Sequence, residues 1–341
     1  MKNISLFSIA CSLSLFASAE VITVNNNTNA PGQYSSLQTA IDSASNGDTI
    51  YVHGSATSYG NVTVKKRLTF FGTGHKPNKS NILVSEVGNF QLDSLAGFTG
   101  ASGTKISGFK LSAVLGYGGT GGTKNVWVSR NYFSSGSSKV SVKGSGWTIE
   151  NNIFQPAYIS VGNNANIIIR NNIFNASYVF TSNQPTVVIA NNIFLGSIST
   201  SALVSVSNAL IANNIFNGST PNGTGVDNNI FSNNITYQTS NNSIPAGTNT
   251  GSGNFAAQNP MFTNAPTNTF SYVYDYTLAA GSPGKNAGTD GTDLGVYGGV
   301  MPLVDITGSP AIPQLKTITI LNPVISVGDS LQVIIKANKQ N

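Results

Sequence analysis

NIIIRNNIF, residues 166–174, is one of five blocks that align on a pair of polar residues. The others are NVWVSRNYF (125–133), GWTIENNIF (146–154), TVVIANNIF (186–194) and NALIANNIF (208–216). The second residue of the pair falls at Asn131, Asn152, Asn172, Asn192 and Asn214, so the spacings are 21, 20, 20 and 22 residues. The tetrapeptide NNIF returns once more at 228–231. A period near 20 with one short β-rich run per block predicts a solenoid, because each unit can bury its apolar face only against its neighbours.

The columns of this alignment assign faces. Two places before the pair stand Val128, Ile149, Ile169, Ile189 and Ile211; four places before it stand Val126, Trp147, Ile167, Val187 and Ala209. The intervening column holds Ser129, Glu150, Arg170, Ala190 and Ala212, so the run alternates as a strand with one buried face. The first member of the pair is Arg130 in one block and Asn elsewhere, a tolerance of charge that predicts an exposed position. The second is always Asn, which predicts a buried column. Stacked at about 4.8 Å, each amide can bond the one above and below and form a structural ladder. The next column, Tyr132 followed by Ile, should point outward, and the Phe column (Phe133, Phe154, Phe174, Phe194, Phe216) inward.

Composition narrows the class. Only 9% of the residues are charged while 40% are hydrophobic, and 43 of the 341 are Asn, which suits a turn-rich β fold rather than a disordered chain. The opening MKNISLFSIACSLSLFASAE has the form of a cleaved signal peptide over residues 1–19, and it contains Cys11, the only cysteine. An exported chain without cysteine can be held by neither disulfides nor thiolate metal sites. No later apolar run reaches the roughly 18 residues needed to span a bilayer.

With these columns in view, the chain resembles the right-handed parallel β-helix proteins of the pectate-lyase-like superfamily, of bacterial secreted type. NNIF resembles their two-residue bend with stacked asparagines. SLQTAIDSASNGDTIYVHGSATSYGNVTVKKRLTFFGTG (36–74) resembles their opening segment, in which an amphipathic helix (here Leu37, Ala40, Ile41, Ala44) caps the first coil. NPMFTN (259–264) and YTLAAGSPGKNAGTDGTDLGVYGG (276–299) resemble a closing segment. The resemblance implies an all-β helix over residues 20–300. Residues 301–341 read as a linker and a strand pair, KTITIL (316–321) and LQVIIKA (331–337), expected to cap the last coil.

Activity is harder to place on this scaffold. Hydrolysis of a glycan needs paired carboxylates, yet between residues 144 and 274 the only charged residues are Glu150, Arg170 and Asp227. Glu150 and Arg170 share a column and read as a surface ion pair. Asp290 and Asp293 could hold Ca²⁺ but sit in a Gly-rich turn, and no metal site is assigned. His53 and His75 read as ordinary turn or surface residues. No catalytic residue is assigned.

The net charge of +5 is uneven. Lys105, Lys110, Lys124, Arg130, Lys139 and Lys143 fall in a stretch with no acid between Asp93 and Glu150. As a strip along the solenoid they could bind an anionic polysaccharide, with Tyr117, Trp127 and Tyr132 as flat surfaces. The expected protein is therefore an exported, non-catalytic β-helix that binds polysaccharide at the cell surface, a monomer or surface-associated. A polysaccharide lyase using Lys124, Arg130 or Lys143 is the enzymatic alternative, and a purely structural or adhesive protein the third. Export and the lack of a binding motif argue against nucleic acid.

Overall fold

A computed structural model describes residues 19–76, 83–93, 100–117, 119, 121–134, 138–162, 166–182, 186–197, 199–310, 312, 314–324 and 326–338. The leader expected over residues 1–19 lies outside them except for Ala19, and so does Cys11. The chain is a parallel β-helix: one sheet stacks ten strands and a second stacks 13. Successive coils are in parallel register through Val128, Ile149, Ile169, Ile189 and Ile211, and this file is fully buried. Among the described residues no helix is long and apolar enough to cross a membrane.

The predicted first helix spans Leu37–Ser43 and buries Leu37, Ala40 and Ile41. Ser36 caps it by accepting from Thr39 N. At the other end, Lys66 Nζ donates to the carbonyls of Asp42 and Ala44 at 2.7 and 2.6 Å, a cation on the electronegative end of the helix.

The second asparagine of each corner forms the expected ladder. Asn131 Nδ2 donates to Asn152 Oδ1 at 3.2 Å, and Asn152, Asn172 and Asn192 each donate to the next at 3.0 Å. Asn234 and Asn254 extend the ladder beyond Asn214. Each Oδ1 also accepts the main-chain N–H one coil back, so these buried amides are satisfied from two sides. Beside the ladder, the Phe133, Phe154, Phe174, Phe194 and Phe216 rings stack face to face, with centroids 4.6–4.9 Å apart.

Four expectations need correction. First, the leading member of the pair is not exposed: Asn151, Asn171, Asn191 and Asn213 are all buried. Their φ lies between 53° and 59°, as does that of Arg130 at 56°. The column turns the corner in the left-handed region, which Asn tolerates better than most residues.

Second, the NNIF at 228–231 is not a corner of this kind. Ile230 and Phe231 pair with Leu210 and Ile211, which puts Phe231 in the β-branched core file rather than the Phe stack. The corner of that coil is Asn233–Asn234. Asn229 instead pairs with Asn249 in a second, shorter ladder.

Third, the outward Ile column is buried. Ile153, Ile173, Ile193, Ile215 and Ile235 form a second apolar core with Phe270, Tyr276, Leu278, Leu294, Val296 and Leu303. The segment expected to close the last coil folds back along the corner column as a strap. Ala287 lies at Asn233, Gly295 at Asn191 and Asn213, Val296 and Gly298 at Asn171, and Ser309 at Arg130. His75 is therefore no surface residue. It is buried under the strap, with Nδ1 2.7 Å from the Tyr272 hydroxyl.

Fourth, the C-terminal strands Gln314–Ile320 and Val333–Asn338 pair antiparallel, but among the described residues the hairpin buries neither of its faces. Ile318, Ile320, Val333 and Ile335 lie on one face by register and are all exposed, as are Thr319 and Ile334 on the other. A cap that covered an edge would have buried one of these faces.

Candidate functional site

The outer face of the ten-stranded sheet carries two parallel files. One runs Thr69, Lys105, Trp127, Thr148 and Ile168; the other runs Phe71, Ser107, Ser129, Glu150 and Arg170. Where these files meet the strap they form a groove of about 290 Å³, lined by Phe71, Lys105, Trp127, Arg130, Glu150, Asn151 and Met301 among others. Alternation along each strand aims these side chains away from the core, and the 20-residue period brings residues from four strands together.

The site is internally braced. Lys105 Nζ sits 5.1 Å from the Trp127 ring centroid, a cation–π contact. The indole Nε1 donates to Glu150 Oε1 at 2.9 Å, and Arg170 Nε donates to Glu150 Oε2 at 2.8 Å. The Glu150 side chain is only 1% exposed. The ion pair read as a surface contact therefore has its acidic half buried, because the indole and the guanidinium close over it. Such a carboxylate is strongly tied to its partners: deleting the guanidinium leaves a buried charge unmatched, and deleting the indole leaves one oxygen without its donor. With Glu150 balanced by Arg170, Lys105 and Arg130 give the groove a net positive character. Arg130 is steadied by donating Nη1 to Ser309 O at 3.1 Å.

The other predicted basic residues lie elsewhere. Lys110 belongs to the second sheet and is paired with Glu86 at 2.9 Å. Lys139 lies in that sheet too, in register with Tyr158. Lys124 and Lys143 are exposed on adjacent coils at another corner, joined through Thr123 N donating to Lys143 O. The structure thus brings Lys105, Trp127 and Arg130 together and distributes the rest over other faces, so the six cations do not make one strip. Tyr132 lies under the strap, its ring 5.6 Å from His75. Asp290 serves the turn, accepting from Thr292 N and Oγ1, and Asp293 pairs with Lys285.

No family model matches the chain, and a search of curated proteins finds no relative. The groove is read from its own chemistry. It offers two cations, an aromatic wall of Trp127 and Phe71, and one carboxylate whose two oxygens are already engaged. A second cavity of about 400 Å³, lined by Asn46, Arg67, Ser102, Gly103 and Asn125, has one charged residue and no aromatic ring. The sequence reading missed Phe71, Asn151 and Met301. Phe71 was within reach of the 20-residue register, one coil before Ser107 with a loop inserted; Met301 enters only through the returning strap.

Proposed function

We propose that the protein is an exported, non-catalytic β-helix that binds an anionic polysaccharide in this groove, at the cell surface or outside the cell. The observation that carries the reading is the convergence of Lys105, Arg130 and Trp127 around one concave site. A uronate presents both features the groove answers: a carboxylate for the two cations and an apolar ring face for the indole. Glu150 acts indirectly, since its bond to the indole nitrogen holds the ring in place for the sugar. The groove is at the small end of ligand sites, which suits one or two sugar units of a longer chain.

Calorimetric titration with oligogalacturonate, oligoalginate and chondroitin fragments tests this. Binding of at least one is expected, weakened by salt as exposed charge pairs are screened. Lys105→Ala and Trp127→Ala should each reduce affinity about tenfold, the equivalent of ~1.4 kcal/mol. Absence of binding to every fragment would sink the reading and leave a structural or adhesive role. Ultraviolet absorbance of an unsaturated uronate growing during the titration would identify a lyase instead.

A further inference from the structure

The corner column that borders the groove contains Arg130, Asn151, Asn171, Asn191, Asn213 and Asn233, all with φ between 53° and 59°. The strap claims the side chain at each level but one. Arg130 donates to Ser309 O; Asn171 Nδ2 donates to Val296 O and Gly298 O at 2.9 and 2.8 Å; Asn191 reaches Gly295 O at 3.5 Å; Asn213 reaches Thr289 Oγ1 at 3.0 Å; Asn233 reaches Ala287 O at 2.7 Å. Asn151 receives nothing of the kind. It is 4% exposed, and its Oδ1 is buried with no hydrogen-bond partner.

The cause is visible in the strap. Between Gly299 and Thr307 it leaves Val300 and Val304 exposed and lines the groove with Met301, while Leu303 stays in the second core. Asn151 lines the groove together with Met301. The corner's backbone alone does not require this side chain, because glycine adopts the same φ without strain. The unpaired Asn151 Oδ1 on the wall of a cationic groove is an acceptor that a ligand hydroxyl can fill.

We propose that Asn151 is a specificity-determining residue of the groove, hydrogen-bonding a hydroxyl of the bound sugar in the place where strap atoms bond its column mates. This rests on the glycan-binding reading above. A hydroxyl both donates and accepts, so it satisfies the amide whichever end rotation about χ2 presents. A ligand with a carboxylate but no neighbouring hydroxyls lacks this contact.

The test uses the full chain and the oligouronate that binds most tightly. Asn151→Gly keeps the positive φ and removes the amide; Asn151→Asp keeps the shape and removes the donor. Each should weaken binding about tenfold, with little change in Tm for Asn151→Gly and a lowered Tm for Asn151→Asp, which buries a carboxylate. The matching substitution under the strap, Asn171→Gly, should lower Tm and leave affinity unchanged. The O-acetylated form of the same oligouronate, with its hydroxyls blocked, should bind the wild type as weakly as the unmodified form binds Asn151→Gly. Wild-type binding that persists undiminished in both Asn151 variants overturns the role of Asn151 and leaves the groove reading intact. A wild type that binds no oligouronate overturns both.

Discussion

Asn171 and Asn172 are adjacent and both buried, yet their side chains are held by different parts of the molecule. Asn172 donates to Ile149 O, Arg170 O and Asn192 Oδ1, and it accepts from the Asn152 main chain and side chain. Asn172→Ala therefore strands several groups inside the ladder and should cost roughly 1–3 kcal/mol. Asn171→Ala should cost about as much for another reason: at a φ of 53° alanine lacks the polar side chain that lets Asn tolerate the left-handed region, and two strap carbonyls lose their donor. Asn171→Gly should recover the conformational part. Urea midpoints of the three variants check this, and an Asn171→Ala variant as stable as wild type would mean that the strap is not seated on the corner. The ladder was legible because an unvarying Asn among apolar columns has few other physical explanations. The first column misled because Arg130 suggested exposure. What the position demands is a left-handed backbone, and the Arg130 guanidinium escapes burial by reaching a strap carbonyl.

The strap is the element that local pattern did not reveal. Strict alternation correctly sent Ile153, Ile173 and Ile193 away from the Phe core, but alternation says nothing of a chain that returns about a hundred residues later to cover them. A signal was present in the apolar and aromatic residues of 270–303, which do not follow the 20-residue period and so needed a surface to cover. Those aromatics give the strap a distinctive alkaline response. Burial holds the Tyr272 and Tyr276 hydroxyls well above the ordinary range and pushes Tyr297 up to about 12, where Asp275 adds to the effect. In the unfolded chain these groups ionise near pH 10. Below that pH both states are neutral and stability does not depend on them. Above it the unfolded chain loses protons while the folded strap keeps them, so stability should fall from about pH 10 through the folded value of about 12 for Tyr297. Urea midpoints measured across this range should decline, and Tyr297→Phe should make the decline shallower. A midpoint that stays level up to pH 12 would place these hydroxyls in contact with solvent.

At the scale of the whole molecule, a solenoid by itself is a one-dimensional stack in which each coil is stabilised only by its neighbours and the ends fray first. The strap changes that connectivity. It is bonded to the coils of Asn233, Asn213, Asn191, Asn171 and Arg130, and its Thr307 carbonyl accepts from His75 N at 2.8 Å, nearer the N-terminus. No one of these coils can open without releasing strap contacts that also serve the others. Native-state hydrogen exchange should accordingly give the amides of Ile153, Ile173, Ile193 and Ile235 a common opening free energy, within about 1 kcal/mol, rather than a gradient along the axis. The exposed hairpin takes no part in this connectivity, so removing residues 314–341 should leave both the exchange pattern and Tm unchanged. Loosening the strap with Asn191→Gly and Asn213→Gly together should restore the gradient, with protection lowest at the Ile235 end. Graded exchange in the unmodified protein would show instead that the coils open independently and that the strap follows them.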